Sequence, residues 1–332
     1  MRNLGLAAAA FAAAALLLPF RVVGADAGPA GNPLQERKAM FDSVSALTGI
    51  PWHLLAAIDQ YERSLTRANP KSRTDYDGLI AIDIPEPLWS GFANPVPDDR
   101  DPRTIALFGG IGRDGDGDGV ADPAQDLDRL WTMAVYLLRE GPSWEDWRVA
   151  LGKFYGHARS VRRIEQFAGI YAHFGRLELH DHAFPLPQGS RYSYRDTWGA
   201  GRSWGGARIH EGTDLFAPYG VPVRSTCYGV IETMGWNPYG GWRVGIRDLD
   251  NLYHYFAHLS GFNKKLKPGD YVSPGEVIGW VGSSGYGKPG TQGKFPPHLH
   301  FGLYRDAGTR EWSFDPYPLL KKWEYEEKKR RR

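Results

Sequence analysis

The last third of the chain carries histidines and one aspartate whose types and spacing suit metal-assisted hydrolysis. His210 and Asp214 are separated by three residues, and His298 and His300 only by Leu299. Between the two pairs lies Tyr253-His254-Tyr255-Phe256-Ala257-His258-Leu259-Ser260. In an extended strand, residues two apart share a face, so His298 and His300 are expected to point into one cavity. Imidazole nitrogens and a carboxylate oxygen suit Zn2+. A catalytic zinc commonly takes three protein ligands and keeps one position open. The metal brings the pKa of water to about 7 and polarises a carbonyl. An imidazole left over beside it can move protons or steady an oxyanion. A lone histidine is usually a satisfied structural residue; here several fall in one region of a chain with ten. Glu211 adjoins His210, and adjacent side chains on an extended chain point oppositely, so it is expected to face solvent or lie behind the site. His254 reads as a packing or groove residue. Trp236, Tyr239, Trp242 and Tyr286 suit a substrate groove as well as they suit packing.

The elements that must position these residues are short. Beyond Phe184-Pro185-Leu186-Pro187, β-type runs at 221–223, 229–233, 242–247, 252–258, 277–281 and 298–304 are punctuated by glycine. Such crowded turns predict antiparallel β-structure rather than a doubly wound sheet. Upstream, Met40, Phe41, Val44 and Leu47 recur at helical spacing until Thr48-Gly49-Ile50-Pro51. A restart follows through Trp52, Leu55, Ile58 and Asp59, with more helix near 126–140 and 143–174. Residues 83–103 read as irregular loop and 28–33 as a linker. The region 34–180 is thus expected to be an α-domain.

The chain has 332 residues, enough for two domains once a targeting segment is set aside, and a net charge of only +2. That balance supplies no global field for nucleic acid. The single cysteine, Cys227, permits no internal disulfide and reads as a buried structural residue. Residues 1–27 have the form of an export signal: Arg2, an apolar run from Leu4 to Phe20, and Ala25-Asp26-Ala27 at the cleavage position. An uncleaved membrane anchor is the alternative, and either one puts the domains outside the cytoplasm. Residues 321–332, ending Lys328-Lys329-Arg330-Arg331-Arg332, read as a solvated charged tail. Asp114, Asp116, Asp118 and Asp122 are spaced like Ca2+ ligands of an EF-hand loop, with Gly119 at position six. Gln125 stands where the usual glutamate would be, so an Asp-Gly turn stable without Ca2+ is the competing reading.

At this point the sequence resembles the lysostaphin-type (M23) zinc metallopeptidases. The resemblance covers about 184–320. It rests on His210-xxx-Asp214, Ala257-His258-Leu259-Ser260, Pro297-His298-Leu299-His300-Phe301, and the glycine-spaced runs from Gly212 to Val223 and from Pro274 to Gly285. It implies that His210, Asp214 and His300 bind one Zn2+, and that His258 and His298 are the catalytic histidines. All five positions are filled. Some members add an upstream tyrosine; Trp198 and Trp204 stand in the nearby loop here, so that role is not carried over. The helical region is similar to lytic transglycosylases, with Gly49-Ile50-Pro51-Trp52 leading to Glu62 at the general-acid position. It departs from them at Glu62-Arg63-Ser64 and at Tyr155-Gly156-His157. The fold expected is α+β and multidomain: an all-α, lysozyme-like N-terminal domain, then an antiparallel β-sheet peptidase domain. The arrangement resembles, more narrowly, sporulation-associated L-Ala–D-Glu endopeptidases, which implies peptidoglycan as the partner. Two other functions fit parts of the chain: a wall-binding regulator with a silent peptidase fold, and glycan cleavage through Glu62.

Overall fold

The computed structural model describes residues 32–70, 78–202 and 207–330. Residues 1–27, expected to be an export signal, lie outside the described residues, as do Trp204 and Arg331-Arg332. Helix α1 (Pro33–Thr48) starts where the Asn32 side chain accepts from the Leu34 N–H, and it stops at Gly49, φ +74°. Helix α2 (Trp52–Ala68) follows the Ile50-Pro51 break and buries Leu54, Leu55, Ile58 and Tyr61. Residues 83–103 are not wholly irregular: α3 (Glu86–Ser90) lies within them with Pro87 in its first turn, and α4 (Pro102–Leu107) is capped by Asp101. Both are too short to show a hydrophobic period. Helix α5 spans Asp126–Leu138. The stretch 143–174 is two helices, α6 (Trp144–Tyr155) and α7 (Ala158–Phe174), broken at Gly156, φ +69°. No helix among the described residues is long and apolar enough to cross a membrane.

The second half is a sheet whose described pairings are antiparallel. Its strands are β1 (Ser193–Tyr194), β4 (Thr213–Phe216), β5 (Pro222–Arg224), β6 (Gly229–Asn237), β7 (Gly241–Asp248), β8 (Leu252–Phe262), β9 (Tyr271–Val272), β10 (Val277–Val281), β11 (His298–Asp306) and β12 (Glu311–Phe314). The main order is β1-β4-β11-β8-β7-β6-β9; β10 joins β8 to β5, and β12 lies on β11. A separate ribbon pairs β2 (Gly201–Arg202) with β3 (Arg208–Ile209). The segment read as a charged tail from 321 is instead part of a helix, α8 (Tyr317–Arg330), that packs on the sheet. Leu320 and Trp323 enter the core with Phe256, Phe301 and Leu303. Glu324 accepts from Tyr192 and Tyr194, and Glu327 pairs with Arg224. Partners at distant positions turn those charges inward, which composition alone does not reveal.

The two halves share a polar seam. On α7, Arg163 bonds to Asp306 of β11 at 2.9 Å and to Glu232 of β6, and Gln166 reaches Glu232 at 2.7 Å. The β7–β8 turn inserts Leu249 into the helical core, and Gln60 donates to its carbonyl at 2.8 Å. Beside it, Asp250 pairs with Arg67, and His180 Nδ1 lies 3.3 Å away. Burial alone would raise the Asp250 carboxyl. The His180 hydrogen bond and the charges of His180, Arg67 and His182 outweigh it and hold it at about 2. A depressed folded-state pKa means fewer protons bound when folded than when unfolded. This contribution is complete above about pH 4 and is lost as pH falls toward 2. Asp250→Asn should lower urea stability at pH 7 and shrink its loss between pH 4 and 2. Identical pH profiles for variant and parent would remove Asp250 from the seam's energetics.

Candidate active site

Register brings the histidines and aspartate together. His300 on β11 stands opposite Asp214 on β4, and His298 opposite Phe216. On its other edge, β11 places His300 opposite Ala257 of β8. Leu299, Phe301 and Leu303 are fully buried in the core. His298, His300 and Tyr304 line an open groove of about 540 Å³ on the other face, where Asp214 and Phe216 join them. The shared face expected of His298 and His300 is therefore present.

His258 breaks the alternation that orders β11. Tyr255 faces the groove and Phe256 the core, so strict alternation would send His258 into the core. Instead its φ is +63°, and its N–H donates to the Gly240 carbonyl at 2.7 Å. The β7–β8 register also shifts between Trp242 and Val244. A bulge of this kind re-aims one side chain, and His258 lines the groove with its ring centre 4.8 Å from that of His298.

His210 Nε2, His300 Nδ1 and Asp214 Oδ1 converge. The separations are 2.9 Å between the two nitrogens, 3.1 Å from His300 to Asp214, and 3.1 Å from His210 to Asp214. Gly212 permits this: a Cβ there would sit 2.7 Å from His300 Cε1 and 2.5 Å from the Phe301 carbonyl oxygen. Outer contacts set the tautomers, because a carbonyl can only accept. His210 Nδ1–H donates to Thr197 O at 2.8 Å, His258 Nδ1–H to Ser284 O at 2.7 Å, and His298 Nδ1–H to Pro296 O at 2.9 Å. Each ring thereby keeps its Nε2 lone pair. Burial pushes the His258 imidazole down to about 3 and lowers His298 and His300 as well. Burial would raise Asp214, but the imidazoles of His210 and His300 against it keep it well below the usual carboxylate range. Neutral imidazoles and an ionised carboxylate are the donor forms a zinc ion needs. Arg202 donates to the other Asp214 oxygen, leaving Oδ1 for the metal.

Other candidates fall elsewhere. Glu211 is exposed to solvent, as expected, yet it lines the same groove as His210 and accepts from Tyr304 at 3.2 Å. The chain turns out of β3 there, so strand alternation does not apply. Tyr239 and Tyr286 line the groove, whereas Trp236 and Trp242 pack edge to face with centres 5.2 Å apart. His254 is buried behind the sheet. With His182 and Asp248 it makes a second His/Asp/His group, but both its nitrogens are already engaged, by Asp248 at 2.9 Å and Thr226 at 2.6 Å. Cys227 is buried as expected. Sequence reasoning missed Arg202, Arg208, Tyr255, Phe295 and Tyr304 in the groove. Tyr304 was findable by extending the two-residue period from His300; the arginines gave no signal.

In the helical half, Glu62 is fully buried and accepts from Tyr155 Oη at 2.7 Å. A cleft in that half, about 660 Å³ and lined by Arg148, His157, Arg162 and Glu165 among others, does not include it. In the Asp-Gly loop, Asp128 rather than a residue at position 125 joins Asp114 and Asp116. Asp114 accepts from the Gly117 and Gly119 N–H groups, and Asp128 from those of Gly115 and Asp122. The loop's shape is therefore held by carboxylates of the loop and of α5 accepting from its backbone.

An antiparallel sheet presenting a His/Asp/His donor set, with two more imidazoles in one groove, is the frame of a zinc-dependent metalloendopeptidase. Residues 208–316 match the model of peptidase family M23, and the chain belongs to that family. It is 54% identical over 299 residues to the L-Ala–D-Glu endopeptidase of Bacillus subtilis, covering 90% of this chain and 91% of that protein. It is 38% identical over 115 residues to lysostaphin of Staphylococcus staphylolyticus, covering 34% of this chain and 22% of that one. Among solved structures, the antimicrobial peptidase lysostaphin from Staphylococcus simulans aligns at 32% identity. It covers 44% of this chain and 56% of that chain, with a TM-score of 0.34.

Proposed function

We propose that this zinc endopeptidase hydrolyses the stem peptides of peptidoglycan at the bond between L-Ala and D-Glu. The observation that carries it is the 54% identity to an L-Ala–D-Glu endopeptidase, which runs through the helical half as well as the peptidase half. His210, Asp214 and His300 hold the zinc. When bound, the metal makes water a competent nucleophile near neutral pH and polarises the scissile carbonyl. His258 and His298, each with a free Nε2 toward the groove, take and return protons and steady the developing oxyanion. Their carbonyl partners keep both rings in that tautomer through the cycle. Residues 1–27 export the chain or anchor it to a membrane, and the enzyme acts outside the cytoplasm during sporulation. Residues 34–180 form a lysozyme-like glycan-engaging domain, and 184–320 the peptidase.

The experiment is digestion of purified peptidoglycan by the zinc-loaded enzyme, with products resolved by mass spectrometry. New D-Glu amino termini are expected, and prior chelation should suppress them. Cleavage at another bond would overturn the bond assignment. Burial of Glu62 and its bond to Tyr155 favour a structural role over glycan cleavage. Glu62→Gln should therefore leave the product set unchanged, with no anhydro sugar from either protein. Anhydro sugars from the parent that vanish in the variant would restore the glycan-cleaving reading.

A further inference from the structure

The β2–β3 ribbon forms one wall of the groove, and in it Arg202 stands directly opposite Arg208. Directly opposed residues project from the same face, and like charges so placed are unfavourable. Both arginines line the groove. A local rule broken at a groove wall points to function. Arg202 is committed to Asp214. Arg208 turns to the aromatic side: its guanidinium carbon lies 5.2 Å from the ring centre of Tyr239 and 5.6 Å from that of Tyr286. It also donates to Tyr286 Oη at 2.6 Å. Tyr286 in turn stacks on His258, centres 6.1 Å apart and planes 19° from parallel. The fork of Arg208 is thus held one ring away from the proton-transferring pair. Glu211 faces the groove beside Tyr304. An anionic substrate group is therefore repelled there and drawn toward Arg208.

Glutamate has two carboxyl groups. When one continues the peptide, the other remains as a free carboxylate or is capped as a carboxamide. A guanidinium offers a planar pair of donors that a carboxylate accepts at both oxygens with full charge; a carboxamide offers one oxygen and no charge. We infer that Arg208 determines specificity by binding the free carboxylate of the acidic residue at the scissile bond, so that the enzyme prefers carboxylate stems to carboxamide stems. This rests on the L-Ala–D-Glu reading above.

The test uses zinc-loaded full-length enzyme and two synthetic stem peptides that differ only in carrying a carboxylate or a carboxamide on the second residue. The parent should prefer the carboxylate peptide by on the order of 10- to 100-fold in kcat/KM. Arg208→Gln should bring that ratio to about one, mainly through KM on the carboxylate peptide, and Arg208→Lys should fall between. Equal rates on both peptides with the parent enzyme would overturn the inference. So would an Arg208→Gln enzyme that slows on both peptides and keeps the ratio, which marks a merely structural residue. Mass spectrometry of the same digests separates the two readings. Cleavage at L-Ala–D-Glu without the preference sinks the role of Arg208 alone. A preference lost in Arg208→Gln but accompanied by cleavage elsewhere sinks the bond assignment alone.

Discussion

Replacing His300 by alanine should abolish zinc retention and peptide hydrolysis together. His300 Nδ1 lies 2.9 Å from His210 Nε2 and 3.1 Å from Asp214 Oδ1, so its removal takes one of three converging donors. Two donors do not make the closed side of a catalytic zinc site. Zinc per chain, measured by mass spectrometry after dialysis, is expected to fall from one to near zero. Activity should fall by on the order of 10³-fold or more, because the metal's Lewis acidity goes with it. His258→Ala is the informative companion. That ring bonds to Ser284 O and faces the groove beside His298, outside the converging set. It should keep stoichiometric zinc and lose on the order of 10²- to 10⁴-fold in kcat, the span of a general acid–base group. A zinc-loaded His300→Ala protein, or a zinc-free His258→Ala protein, would reverse the assignment of ligand and proton carrier. Full function from a zinc-free His300→Ala protein would instead mark a wall-binding protein.

The second large effect lies at the seam. Arg163 is almost wholly buried between Asp306 and Glu232, which are equally enclosed. Burial and the neighbouring Arg247 lower the pKa of its guanidinium, and the two carboxylates work against that. Truncating one member of a buried ion network leaves the remaining charges unpaired in a poor solvent, at a cost of about 3–5 kcal/mol. Arg163→Ala should lose that much in urea unfolding of the full chain. Loss of coupling should also split the thermal transition into two, because each half keeps its own apolar core. A loss below about 1 kcal/mol would show that Arg247, which bonds to Glu232 and Glu311, neutralises the seam without Arg163.

Much of this was legible in one dimension, for definite reasons. The break between helical and β-rich halves shows in the chain because helices and strands have different apolar periods. Gly49 and Pro51 mark a helix end because few other residues tolerate those dihedrals or lack the N–H. The shared face of His298 and His300 follows from the two-residue period of a strand, a local property. The ligand set came from motif resemblance, and the structure draws the same three residues to one point. By itself, then, the sequence determined the two-part architecture, the residue types of the site and the facing of β11.

Tertiary structure decided the rest, since it depends on residues far apart in sequence. Nothing near Glu324 or Glu327 announces that Tyr192, Tyr194 and Arg224 will bury them, so a packed helix read as a charged tail. Glu62 reads in the chain as a candidate general acid, yet α2 packs it inward against Tyr155, ninety-three residues away. His258 is the sharpest case. Period two would have hidden it in the core; a positive φ and a bulge, set by Gly240 and the β7 register, turn it to the groove. Where a side chain's direction follows from its own strand, sequence determines it. Where direction depends on which strand lies alongside and with what register, only the folded sheet does.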